Sequence, residues 1–127
     1  MNYQYLNVNP LSITEQDCVT RAISLATGYS YAEIQDKLYY IAELLECERL
    51  CVCCYRHLLE KVFNLEKVDC YGMTVEEFGD KHCDGIYLIR MNGHLSCLIR
   101  GTVYDIWDCR DEILTDCWRV DKRKEGD

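Results

Sequence analysis

The sequence predicts an α+β fold, with N-terminal helices packed on a small C-terminal antiparallel β-sheet. Three observations lead there. Before Gly85 the apolar residues recur at helical spacing, and from Gly85 on they alternate. Two Ser/Thr-x-x-Glu pairs, Ser30 with Glu33 and Thr74 with Glu77, mark helix starts. Asn92-Gly93 lies between two alternating apolar runs, the strongest short hairpin signal.

Asp17 is placed to cap a helix from Cys18 to Thr27, whose apolar side is Ala22, Ile23, Leu25 and Ala26, and Gly28 is its stop signal. The capping box at Ser30 opens a second helix through YAEIQDKLYYIAELLEC, with Ile34, Leu38, Ile41 and Leu45 in register. A third covers CVCCYRHLLEKVF and ends near Asn64, and the box at Thr74 opens a short fourth, TVEEFGDKH. IYLIRM, HLSCLIR and VYDIWD then read as an antiparallel meander, ILTDCWRV as a last strand, and 121–127 as a loose polar tail after a single domain spanning 1–120.

Composition narrows the classes of function. A chain of 127 residues with 49% hydrophobic and 28% charged residues can hold one core, and no apolar run reaches the roughly 18 residues of a membrane span. The start MNYQYLNVNPLS has neither a basic patch nor an apolar run, so no signal peptide is read and a cytoplasmic location is expected. In that compartment the ten cysteines are expected to be reduced, and CERLCVCC makes a disulfide framework implausible. A net charge of -8 disfavours nucleic acid and membrane surfaces as partners.

Cys18 carries the chemical question. A cysteine in an apolar helical pattern is by default a core residue. In the first turn, however, unpaired N–H groups and the helix dipole favour a thiolate. The neighbouring Asp17 opposes this unless its carboxylate is engaged elsewhere. A nucleophilic thiol also needs a base and a group to orient that base. His94, just after the tight turn, is the best placed of three histidines. Taking Arg100-Gly101-Thr102 as a three-residue turn sets Ile99 opposite Val103, which brings His94 opposite Asp108 and turns Asp105 to the other face. A two-residue turn reverses the parity and selects Asp105.

A helix-first Cys, a His on a strand and an Asp on the next strand resemble the papain-like cysteine peptidase superfamily, most of all its bacteriocin-processing branch. DCVTRAISLATG, NGHLSCLIRGTVYDIWDC and the late DCW are also similar to a group of short uncharacterised phage and bacterial proteins. The resemblance implies a papain-like fold and a hydrolase, a thiol protease or deconjugating amidase, with Cys18 as nucleophile, His94 as general acid/base and Asp108 fixing the imidazole. No cofactor or metal is implied, and the partner would be a peptide or protein, basic ones being favoured by the acidic charge; a phage origin would make the host cytoplasm its location. Where those enzymes carry an oxyanion-hole Gln about six residues before the Cys, this chain has Ser12. Gln16, Ser12 or Asn9 would have to supply that second donor beside the Cys18 N–H.

Other features read as packing. Cys47, Cys51, Cys54 and Leu58 fall on one apolar helix face; with Cys53 and His57 they suggest zinc, but a single helix cannot wrap a tetrahedral site. Trp107 is expected in the core, and Tyr29, Tyr31, Tyr39 and Tyr40 as half-buried packing. A second class stays open: a non-catalytic papain-like binding module, such as a phage protein that sequesters a host factor. Closeness of the Cys18 sulfur to the His94 ring discriminates the two.

Overall fold

Residues 1–13 and 16–121 are described by the structure, a computed structural model, so that residues 122–127 of the expected tail lie outside the described residues. The elements run β1 (Asn2–Tyr5), α1 (Cys18–Thr27), α2 (Tyr31–Leu45), α3 (Val52–His57), β2 (Glu66–Val68), α4 (Val75–Lys81), β3 (Ile86–Met91), β4 (His94–Ile99), β5 (Thr102–Asp105) and β6 (Leu114–Arg119). A π-helical turn over Leu58–Val62 prolongs α3. The architecture is mixed α/β, built on a six-stranded sheet in the order β1-β5-β4-β3-β6-β2. No described helix is long and apolar enough to cross a membrane.

Local signals form as chemistry demands. Both capping boxes close: Ser30 Oγ accepts from the Glu33 N–H while Glu33 accepts from the Ser30 N–H, and Thr74 and Glu77 do the same. Gly28, at φ 82°, closes α1 by donating to the Ser24 carbonyl. Two expectations fail here. Asp17 makes no capping bond, its carboxylate being held by other side chains. Leu45 is exposed, because α2 ends there before the next turn can cover it.

The sheet is covered on both faces rather than one. Val19, Ile23 and Ala26 of α1, Ile34 and Leu38 of α2, and Cys54 and Leu58 pack with Leu88, Leu95, Cys97 and Trp118. Val75 and Phe78 of α4 pack on the opposite face with Tyr87, Ile89, Leu98 and Val103. Central strands buried on both sides therefore read as nearly continuous apolar runs. The sheet is also mixed, because β1 joins β5 in parallel, Tyr3 opposite Val103, while the other strand pairs are antiparallel.

The two hairpins position the site. Met91 pairs with His94 across Asn92-Gly93, and Gly93 takes φ 73°. The next turn has two residues, not three: Ile99 pairs with Thr102, and Arg100 and Gly101 take φ 47° and 78°. Positive φ at both central positions is the type I′ geometry that matches strand twist. One residue fewer in this turn changes which side of β5 each side chain takes.

Candidate active site

Cys18 is the first residue of α1, and α1 lies along β4, so the half-buried thiol meets the beginning of that strand. The β4–β5 ladder runs from Ile99–Thr102 to Cys97–Tyr104, which leaves the His94–Ser96 end of β4 for α1 to approach. There the Cys18 thiol shares the cleft with the His94 ring and the Leu95 backbone, close enough for both to act on its ionisation. Burial alone raises a thiol pKa. The His94 ring, the Leu95 N–H and the nearby Arg21 charge reverse that, and Cys18 lies below the ordinary thiol value.

His94 Nε2 lies 2.6 Å from Asp105 Oδ2. With Nε2 engaged, Nδ1 is the ring nitrogen left for Cys18. Burial pulls the imidazole pKa down, but the bond to Asp105, the neighbouring Cys18 and their charges push it up to about 9. A lowered thiol beside a raised imidazole favours thiolate and imidazolium.

The carboxylate at the His94 ring is Asp105 and not the expected Asp108. In the two-residue turn, β5 carries Asp105 to the side of Ser96 and His94. Its Oδ2 also accepts from Ser96 Oγ at 2.5 Å, and its Oδ1 from the Ile106 N–H at 2.7 Å and Arg21 Nη1 at 3.1 Å. Burial would raise this carboxyl, yet the His94 and Ser96 bonds hold it below the usual range. Asp108 is exposed and faces solvent, gripped by Arg110 at 2.8 and 2.9 Å.

The like-charge conflict between Asp17 and Cys18 is removed by neutralisation rather than by capping. Arg21 Nε donates to Asp17 Oδ1 at 2.6 Å, while Tyr31 OH and Asn9 Nδ2 donate to Oδ2 at 2.8 and 2.9 Å. Burial works against ionisation here too, and these donors outweigh it, leaving Asp17 ionised and matched. Arg21 thus bridges two buried carboxylates, Asp17 and Asp105, one helical turn from the sulfur.

The sulfur opens into a cleft of ≈ 500 Å³. Its walls include Gln16, Leu50, Val52, Tyr55, Arg90 and Trp107. Trp107 is not core: it is 43% exposed and sets its ring edge-on to His94, centroids 4.9 Å apart. Tyr39 and Tyr40 are likewise exposed, whereas Tyr29 stacks on Phe63 and Tyr31 serves Asp17. Of the three amide or hydroxyl donors considered for the oxyanion, Gln16 lies in the cleft wall. Asn9 is committed to Asp17, and Ser12 is exposed outside that wall.

The chain matches no family model, no curated protein and no solved structure. The site therefore has to be read from its own geometry.

Of the residues expected from the sequence, Cys18 and His94 meet, Gln16 is at hand, and Asp108 is absent from the cluster. Arg21, Ser96 and Asp105 complete it. Arg21 carried a signal in the pattern Asp-Cys-x-x-Arg, whose i, i+4 spacing from Asp17 suits an ion pair. Ser96 carried none beyond sharing the parity of His94 on β4.

Proposed function

We propose that this chain is a cysteine-nucleophile hydrolase, a peptidase or deconjugating amidase, working through Cys18, His94 and Asp105. One observation carries the reading: a thiol beside an imidazole that is itself hydrogen-bonded to a buried carboxylate, at the edge of a cleft. A core thiol has no use for such an arrangement, and neither has a binding module.

The steps follow from the geometry. The Cys18 thiolate adds to an amide or thioester carbonyl, and its lone pair becomes the new S–C bond while the carbonyl π pair moves to oxygen. The Cys18 backbone N–H, unpaired within the helix at its first turn, and the Gln16 amide are the donors available to that oxygen. His94 then passes its proton to the leaving amine as the C–N bond breaks, which gives a thioester on Cys18. Neutral His94 takes a proton from water, the hydroxide adds to the thioester, and the S–C bond breaks to return the thiolate and the imidazolium. Asp105 holds the ring in place and stabilises its charge throughout.

The lining also revises the substrate class. Net charge alone favours basic peptides, but no carboxylate is among the described lining residues, and the lining cations Arg21 and Arg90 are held by Asp17, Asp105 and Asp116. Neutral side chains next to the scissile bond fit better. The apolar walls Leu50, Val52 and Trp107 suit a hydrophobic neighbour.

The test is alkylation of the native chain by iodoacetamide from pH 4 to 9, with the modified cysteines located by mass spectrometry, followed by a panel of acidic, neutral and basic fluorogenic peptides. Cys18 is expected to react ahead of the exposed Cys53 and Cys83 below the free-thiol pKa of about 8.5 and to lose that lead in His94→Ala. If Cys18 reacts no faster than those two, the reading fails. Preferred turnover of basic peptides sinks the substrate assignment alone.

A further inference from the structure

Away from the cleft sulfur, a second set of thiols converges. Cys47 follows the end of α2, Cys51 ends the connecting turn, and Cys53 lies in the first turn of α3. Their three sulfurs lie within 4.8 Å of one another. One helix could not gather them; the reversal after Leu45, with Glu46 in the left-handed region at φ 55°, does. Cys51 and Cys53 sulfurs are only 2.7 Å apart, and Cys53 is exposed, so its side chain is free to swing.

We propose that Cys47, Cys51 and Cys53 bind one thiophilic d¹⁰ ion, zinc(II) being the fit to the geometry, with the fourth position open to solvent. Zinc–thiolate bonds of about 2.3 Å set tetrahedral sulfurs roughly 3.8 Å apart, inside the span these three already cover. Closure requires Cys53 to retreat from Cys51 by about 1 Å, which its exposure permits. Binding turns three thiols into thiolates and sends up to three protons to solvent, with no change of oxidation state. Soft sulfur ligands alone select zinc or copper(I) over magnesium, calcium and manganese.

The site has a structural consequence. Leu50 and Val52 lie in this same turn and form one wall of the cleft beside Cys18. An ion on Cys47, Cys51 and Cys53 clamps that wall. The inference does not depend on catalysis by Cys18.

The test is a cobalt(II) titration of the full chain, reduced and under anaerobic conditions, followed by displacement with zinc(II) alone. A sulfur-to-cobalt charge-transfer band is expected to saturate at one ion per chain, to bleach with zinc, and to be the same in Cys18→Ser and Cys83→Ser. Cys53→Ser and Cys51→Ser are each expected to weaken zinc binding about a hundredfold. Cys53→Ser alters an exposed side chain, so its folding is not in question. A band that survives in both variants, or one lost in Cys18→Ser, overturns the assignment, as does a Cys51–Cys53 disulfide that persists under reduction and excludes the ion. Alkylation of Cys18 reads the hydrolase proposal separately, so either proposal can fail alone.

Discussion

Two groups of thiols in this molecule lie in opposite surroundings. Cys18 is half-buried, with a cation and two buried carboxylates within reach; Cys47 and Cys51 are half-buried too and Cys53 is exposed, but their sulfurs gather on one another. At Cys18 the neighbouring imidazole favours the thiolate. In the second group, Cys51 is lowered while Cys53, beside it and Cys47, is pushed up to about 12. The same functional group is thus tuned by an imidazolium in one place and by sharing in the other. The first arrangement suits attack on a carbonyl, and the second suits an ion that can neutralise several thiolates together.

The largest effect separating the two should come from substitution at Cys18 or His94. On the proposed reading, Cys18→Ala lowers turnover by about 10⁴-fold or more, and His94→Ala by about 10²- to 10⁴-fold. In the metal-free chain, Cys53→Ser should leave turnover within about twofold, since it touches neither donor nor base. Steady-state kinetics on a neutral fluorogenic peptide measures all three. Equal losses at Cys18 and Cys53 would erase the contrast.

Next in size is Arg21. It is 5% exposed and holds Asp17 and Asp105 at once, so Arg21→Ala leaves two buried carboxylates without their cation. Loss of one partner from a buried pair destabilises by about 3–5 kcal/mol. Urea unfolding should show the stability falling by that amount, whereas Cys53→Ser, at an exposed position, should change that of the metal-free chain by less than about 1 kcal/mol.

The third comparison sets Asp105 against Asp108. Asp105→Asn should lower kcat by about 10²- to 10⁴-fold, because an amide can hold the wrong tautomer of His94. Asp108→Asn breaks only an exposed pair with Arg110 and should change kcat by less than about twofold. A larger loss at Asp108 than at Asp105 would reverse the correction reported above.

That correction shows where the sequence is readable and where it is not. Asn92-Gly93 announces its own turn, because glycine takes the positive φ at Gly93 without strain. Arg100-Gly101 does not announce a two-residue turn, since nothing in an arginine side chain signals the left-handed φ of 47° that sheet twist imposes on it. A single residue of turn length then moved the choice from Asp105 to Asp108. Helix starts were legible at Ser30 and Thr74, where local bonds decide the outcome. They were not legible in the same way at Asp17, whose carboxylate is won by Arg21, Asn9 and Tyr31. The edge strands β1 and β2 escaped for another reason. Three of the four residues of Asn2–Tyr5 are exposed and Glu66–Val68 has three residues, so neither buries enough apolar surface to leave a periodic mark. Cys18 and His94 were visible because a helix start and a hairpin turn each fix a side chain locally.

The smallest expected effect is a slope, and its sign distinguishes an ion pair from two independent groups. His94 has its pKa raised on folding, from about 6.5 to about 9, so its contribution to stability is full below the unfolded value and fades as pH rises through about 9. Cys18 has its pKa lowered, so its contribution is full above the unfolded thiol value and fades as pH falls through the folded one. Between about pH 6.5 and 8.5 these two slopes oppose each other, because the folded pair shares one proton while the unfolded chain also holds one, on Cys18. The wild type should therefore show little dependence from this pair across that window. In Cys18→Ala the thiol slope is gone while Asp105 still raises His94, and stability should fall with rising pH by up to about 1.4 kcal/mol per unit. His94→Gln should remove both contributions and restore the flat profile. Urea denaturation at pH 6.5, 7.5 and 8.5 measures the slopes, with the free thiols kept reduced. Parallel profiles in the wild type and Cys18→Ala would mean that the sulfur and the imidazole titrate independently and that the first half of the comparison is wrong.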